Sequence, residues 1–116
     1  MRIMNEYIKN VKKELEDALN NKDLILPSID AKATSSWAQY SVRVKDRDKV
    51  QAKLKEVGIP TAVHYPIPLH LQECFEYLGY KKGSFPISEL ISQEIMSLPI
   101  NPYLSYEEIE YISKVI

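Results

Sequence analysis

The chain has 116 residues, 45% of them apolar, and its 15 Lys and Arg stand against 16 Asp and Glu for a net charge of −1. That length suits one domain, residues 1–116, able to bury roughly two-thirds of its unfolded surface, while the balanced charge offers no global field toward nucleic acid or an acidic membrane. A lone cysteine, Cys74, excludes an internal disulfide and fits a reducing, cytoplasmic setting; no apolar run approaches the ~20 residues of a membrane span, and no signal-peptide core opens the chain.

Residues 3–20 read as an N-terminal helix. Met4, Ile8, Val11, Leu15, Ala18 and Leu19 form one apolar stripe, and Asn20-Asn21 suits a left-handed end. Leu24 to Ile29 is an apolar connector broken by Pro27. Trp37 to Val44 alternates with period two, Tyr40, Val42 and Val44 one way and Gln39, Ser41 and Arg43 the other, the pattern of a half-buried strand. Asp46 is placed to cap a helix with its carboxylate. Val50, Leu54 and Val57 are that helix's buried stripe, Lys49, Lys53 and Lys55 its wet side, and Gly58 its left-handed end.

Ile59 to His64 is expected to be a second strand, with Pro60 near its start. Leu71, Cys74, Phe75 and Leu78 recur at helical spacing up to Gly79, predicting a third helix with Cys74 in its buried stripe. Pro86 opens a fourth helix, with Ile87, Leu90, Ile91 and Ile95 inward. Met96 to Pro99 is a short third strand. Ser105 and Glu108 form a capping box for a last helix that buries Ile109, Ile112 and Ile116. The pattern predicts a two-layer α/β (α+β) domain: a small three-stranded, mainly antiparallel sheet covered by about five helices.

Both histidines lie in one stretch, Thr61-Ala-Val-His-Tyr-Pro-Ile-Pro-Leu-His70, where Pro66 and Pro68 hold an extended path. A polar site is expected here; the same spacing also suits a His64 that ends a strand and a His70 that caps a helix. His70 and Cys74 lie four apart, as two metal ligands on a helix do. With only His64 to add, the set is short of four ligands, and no metal site is assigned. No Ser-His-Asp or Cys-His constellation emerges, and Glu107-Glu108 reads as an answer to a helix dipole.

Ser35-Ser-Trp-Ala-Gln-Tyr-Ser41, Val57-Gly-Ile-Pro-Thr-Ala-Val-His-Tyr-Pro-Ile-Pro-Leu-His70, Gln72, Leu78-Gly-Tyr80, Phe85-Pro86 and Ser97-Leu-Pro99 stand in the order of one family. From about Tyr7 to Ile116 the chain resembles the C-terminal small domain of the DegT/StrS-type sugar aminotransferases, pyridoxal-phosphate enzymes on the aspartate-aminotransferase fold. The resemblance implies closure over a nucleotide-sugar substrate, with His64, Tyr65 and His70 as substrate-binding residues and Gln39 and Tyr40 as supports of the sheet. It also implies what is missing. The Schiff-base lysine, the carboxylate at the pyridine nitrogen and the stacking aromatic belong to the family's large domain. None can be placed here, so no cofactor-binding or catalytic residue is assigned, and the chain alone is expected to be inactive. Its expected partners are the large domain or a full-length aminotransferase, on which it would alternatively dock as a regulatory module, or a second copy in a homodimer.

Overall fold

The computed structural model describes the backbone of residues 2–20 and 22–116 and the side chains of 6–20 and 22–116; the expectations for Met4 and Asn21 lie outside the described residues. Among the described residues four α-helices are formed: α1 (Arg2–Leu19), α2 (Arg47–Glu56), α3 (Pro86–Glu94) and α4 (Tyr106–Val115). Two strands, β1 (Tyr40–Arg43) and β2 (Ile95–Leu98), pair antiparallel, with Tyr40 opposite Leu98 and Val42 opposite Met96. A two-stranded ribbon is marginal by itself in water, so its stability rests on what covers it. Ile8, Val11, Leu15 and Leu19 of α1 and Ile109 and Ile112 of α4 join Tyr40, Val42, Met96 and Leu98 in one core, with Trp37, Leu54 and Ile59. Each such side chain contributes about 1.5–3 kcal/mol by leaving water.

The expected third strand is not formed. Ile59 to His64 contributes only a bridge, in which Ala62 and Ser97 exchange both backbone hydrogen bonds (3.2 and 2.8 Å). The cause is in the sequence. Continuing that antiparallel ladder by two residues would set Pro60 against Pro99, and neither has an N–H to donate. On the other edge Ile25 and Arg43 form a similar bridge, and Pro27 stands where the next pair would need a donor.

Along β1 and into the residue after it the period-two reading holds: Tyr40, Val42 and Val44 are buried. The strand starts later than expected because Trp37 has φ 53°, which breaks the extended path. Trp37 is buried, its ring 5.6 Å from that of Tyr40. Asp46 does precede α2, but with φ 54° and no side-chain cap. Its backbone carbonyl, not its carboxylate, accepts from Lys49 and Val50. Val57 is exposed rather than buried, and Ile59, after the left-handed Gly58, takes the core position. The capping box of α4 is present in both directions, Ser105 Oγ accepting from the Glu108 N–H and Glu108 from the Ser105 N–H.

The third predicted helix is replaced by two 3₁₀ turns, Leu69–Leu71 and Glu73–Leu78, divided by an extended Gln72 (φ −75°, ψ 141°). At three residues per turn a stripe spaced for an α-helix no longer shares one face. Cys74 and Leu78 are accordingly exposed, not core. On α3, Pro86 takes the first turn as expected, but Ile87 and Leu90 face out, 74% and 49% exposed.

The Tyr40 hydroxyl is buried with no hydrogen-bond partner among the described residues. Burial, then the nearby charge of Glu16, pushes its pKa from 10.0 to about 12. Folding thus favours the neutral phenol. That contribution is fully present below pH 10 and is lost as pH rises toward 12. Tyr40→Phe is expected to leave stability at pH 7 unchanged or raised by up to about 1 kcal/mol, and to flatten this alkaline limb. Thermal melts at neutral and alkaline pH check both.

Candidate functional site

The bridge at Ala62 fixes the start of the loop beside β2. His64 and Tyr65 follow, both exposed, joined by a cis peptide, with their rings edge to face at 5.4 Å. Tyr65 is 68% exposed. Pro66 and Pro68 then carry the chain in extended form (Pro68 φ −62°, ψ 151°) to the first 3₁₀ turn. Gln72 reaches back, its side-chain amide donating to the Ile67 carbonyl at 3.2 Å, and so ties the proline segment to the turn. The loop walls a cleft of about 400 Å³ whose lining includes His64, Tyr65, Leu69, His70, Phe85 and Ile91. The three histidine and tyrosine residues singled out in the sequence are thus brought to one cleft.

They differ in setting. His64 and Tyr65 offer a ring nitrogen and a phenol to solvent, groups that hydrogen-bond phosphate or sugar hydroxyls. His70 is only 8% exposed. Its Nε2 lies 3.2 Å from Glu89 Oε2 on α3, and its ring meets Phe85 edge on at 4.9 Å. An ionised carboxylate only accepts, so Nε2–H donates. Glu89 also accepts from the Gly83 N–H (2.8 and 2.9 Å to its two oxygens) and from the Phe85 N–H (3.2 Å). The Gly83 N–H, with further help from that of Phe85 and from His70, holds the Glu89 carboxyl below its ordinary 4.5, against a smaller opposing effect of burial.

Glu89 escaped the sequence reading. Its one signal was a carboxylate in the first turn of a helix opened by Pro86, where free N–H groups gather. Gln39 is exposed beside His64 in a shallow groove, whereas Tyr40 belongs to the core. Among the described residues no three His, Cys, Asp or Glu side chains gather as metal ligands, and no helix is long and apolar enough to cross a membrane.

The sequence profile of the DegT/DnrJ/EryC1/StrS aminotransferase family matches residues 3–116. A pleiotropic regulatory protein of Geobacillus stearothermophilus is 50% identical over 74 residues, 64% of this chain and 20% of that protein. The UDP-2-acetamido-2-deoxy-3-oxo-D-glucuronate aminotransferase of Pseudomonas aeruginosa is 38% identical over 104 residues, 90% of this chain and 28% of that one. A crystal structure of a DegT DnrJ EryC1 StrS aminotransferase from Brucella abortus superimposes with a TM-score of 0.85 at 34% identity, over 97% of this chain and 30% of that chain. The chain therefore spans between 20% and 30% of the length of these relatives. With the profile matched over nearly every residue and the α/β fold shared with solved members, the chain belongs to the DegT/DnrJ/EryC1/StrS aminotransferase family.

Proposed function

We infer that residues 1–116 act as the small domain of a nucleotide-sugar aminotransferase, closing the substrate side of a cleft whose cofactor half belongs to a large domain. The observation that carries this reading is the cleft under His64 and Tyr65, two exposed polar rings on a rim that also bears Leu69, 67% exposed. A free surface seldom concentrates large apolar side chains around a polar site unless another surface covers them. His64 and Tyr65 bond the diphosphate or sugar hydroxyls, and His70 lines the cleft beneath them.

Pyridoxal phosphate supplies the electron sink in this family. The side chains present here do not fit it. Of the twelve lysines none is buried: eleven are exposed, and Lys12 is half-buried, paired with Glu16 and stacked 5.2 Å over the Trp37 ring. A Schiff-base lysine needs desolvation or a neighbouring cation to reach a neutral pKa, and no step through the cofactor is assigned to this chain.

The test mixes the purified chain with the isolated large domain of a family aminotransferase, pyridoxal phosphate, an amino donor and a nucleotide-linked ketosugar. A stable complex with amino transfer is expected, and His64→Ala is expected to raise KM for the sugar about tenfold, the loss of one charge-assisted hydrogen bond. Absence of a complex, or transfer by the chain alone, overturns the reading. Binding to an intact aminotransferase but not to the large domain favours the regulatory module instead.

A further inference from the structure

Three groups meet at the carboxylate of Glu89, His70 from 19 residues before it and Gly83 and Phe85 from six and four. His70 ends the loop that carries His64 and Tyr65. Gly83 and Phe85 belong to the turn before α3. Glu89 lies one turn inside α3 and holds all three by accepting N–H bonds of 2.8–3.2 Å. The Phe85 ring closes the group by packing on His70 and on Tyr80, both at 4.9 Å. Few other ties hold this region. Beyond the Ala62 bridge, the loop's other hydrogen bonds among the described residues are the short-range ones of the two 3₁₀ turns and that of Gln72. A half-buried side chain with several directed bonds, set beneath exposed groups that need a fixed orientation, is one way folds pre-organise a binding loop.

We propose that Glu89 and His70 are positioning residues, a clasp that fixes the loop bearing His64 and Tyr65 against α3. The proposal rests on the reading of His64 and Tyr65 as substrate groups for its purpose, but not for its existence. It differs from a purely apolar anchor in one respect, since the clasp opens on a single protonation. A protonated Glu89 carboxyl loses acceptor strength and needs a partner for its own proton. Folding favours the ionised form, so the clasp is intact above pH 4.5 and is released as pH falls through the lower value that Glu89 has in the fold. Other titratable groups surround it. Glu73, Glu76 and Tyr80 line the groove on the far side of His70, His64 and Tyr65 lie across the cleft, and Lys81 and Lys82 precede Gly83. Glu73 and Glu76 are exposed, and the Gly83 and Phe85 N–H groups donate to Glu89 instead.

The experiment is an acid titration of the 116-residue chain followed by amide signals in ¹H–¹⁵N spectra. The Gly83 and Phe85 amides are expected to shift in one step below pH 4.5, with the His64 and Tyr65 signals moving at the same midpoint while the Leu54 amide stays native. In Glu89→Gln the step is expected to vanish from all four; in Glu73→Gln it is expected to persist. Gly83 and Phe85 amides that do not titrate, that titrate equally in Glu89→Gln, or that titrate while His64 and Tyr65 stay still would overturn the clasp. If Glu89→Gln does not fold, the wild-type step, its shared midpoint and the Glu73→Gln control decide. A clasp that titrates as described beside a His64→Ala variant of unchanged KM sinks the substrate reading and spares this one.

Discussion

Replacing Arg47 by methionine is expected to destabilise the chain by about 3 kcal/mol, the largest effect of any single polar side chain in the fold. Arg47 opens α2, yet its side chain is 7% exposed. Its Nη1 donates to the Ser92 carbonyl at 2.7 Å and to the Ile95 carbonyl at 3.0 Å, while Nε pairs with Asp48 at 2.9 Å. The two carbonyls belong to the end of α3 and the first residue of β2. The guanidinium therefore fixes the angle at which a helix becomes a strand. Removing it leaves a buried acceptor unmatched, whereas methionine keeps most of the apolar volume and isolates the polar loss. Arg47→Lys, with one point charge in place of a fork, is expected to recover about half. Urea unfolding checks the series; a loss below about 1 kcal/mol in the methionine variant would mean that Ser92 and Ile95 find other donors.

What the sequence made legible, and what it hid, divides along the range of the interactions. Local signals worked. Tyr40, Val42 and Val44 announced their strand face, Ser105 and Glu108 their cap, Gly58 the left-handed end it forms at φ 82°. The failures needed partners that local pattern does not name. The 59–64 strand looked sound until it was set against Pro99. The apolar spacing from Leu71 to Leu78 matched an α-helix, but Gln72 turned extended and the shorter 3₁₀ repeat dispersed the stripe. The candidate site was half legible for the same reason. His64, Tyr65 and His70 are sequence neighbours and met in one cleft, while Glu89 is 19 residues beyond His70 and comes to it only through the packing of α3. Arg47 was silent because a charged residue at a helix start reads as solvated.

The apolar residues of α3 were all read as inward, yet Ile87 and Leu90 face out while Ile91 and Ile95 are half-buried. That error carries the second large prediction. Ile87 is 74% exposed and Leu69 67% exposed, one beside the cleft-lining Ser88 and the other on the cleft rim. Changing either to glutamate is expected to alter the stability of the free chain by no more than about 0.5 kcal/mol, because neither side chain is packed. Against the large domain of a family enzyme the outcome is different. Each side chain forfeits about 1.5–3 kcal/mol of burial on docking, and a carboxylate must be dehydrated as well. The pair Leu69→Glu and Ile87→Glu is therefore expected to weaken association by more than about 100-fold, while Lys53→Glu, on the solvated side of α2, leaves it unchanged. Calorimetric titration with the large domain measures the three side by side. Equal binding by all three would show that this face is not the one the partner covers. The docking surface would then have to lie elsewhere, and the cleft beneath His64 and Tyr65 would lose the wall that makes it a substrate site.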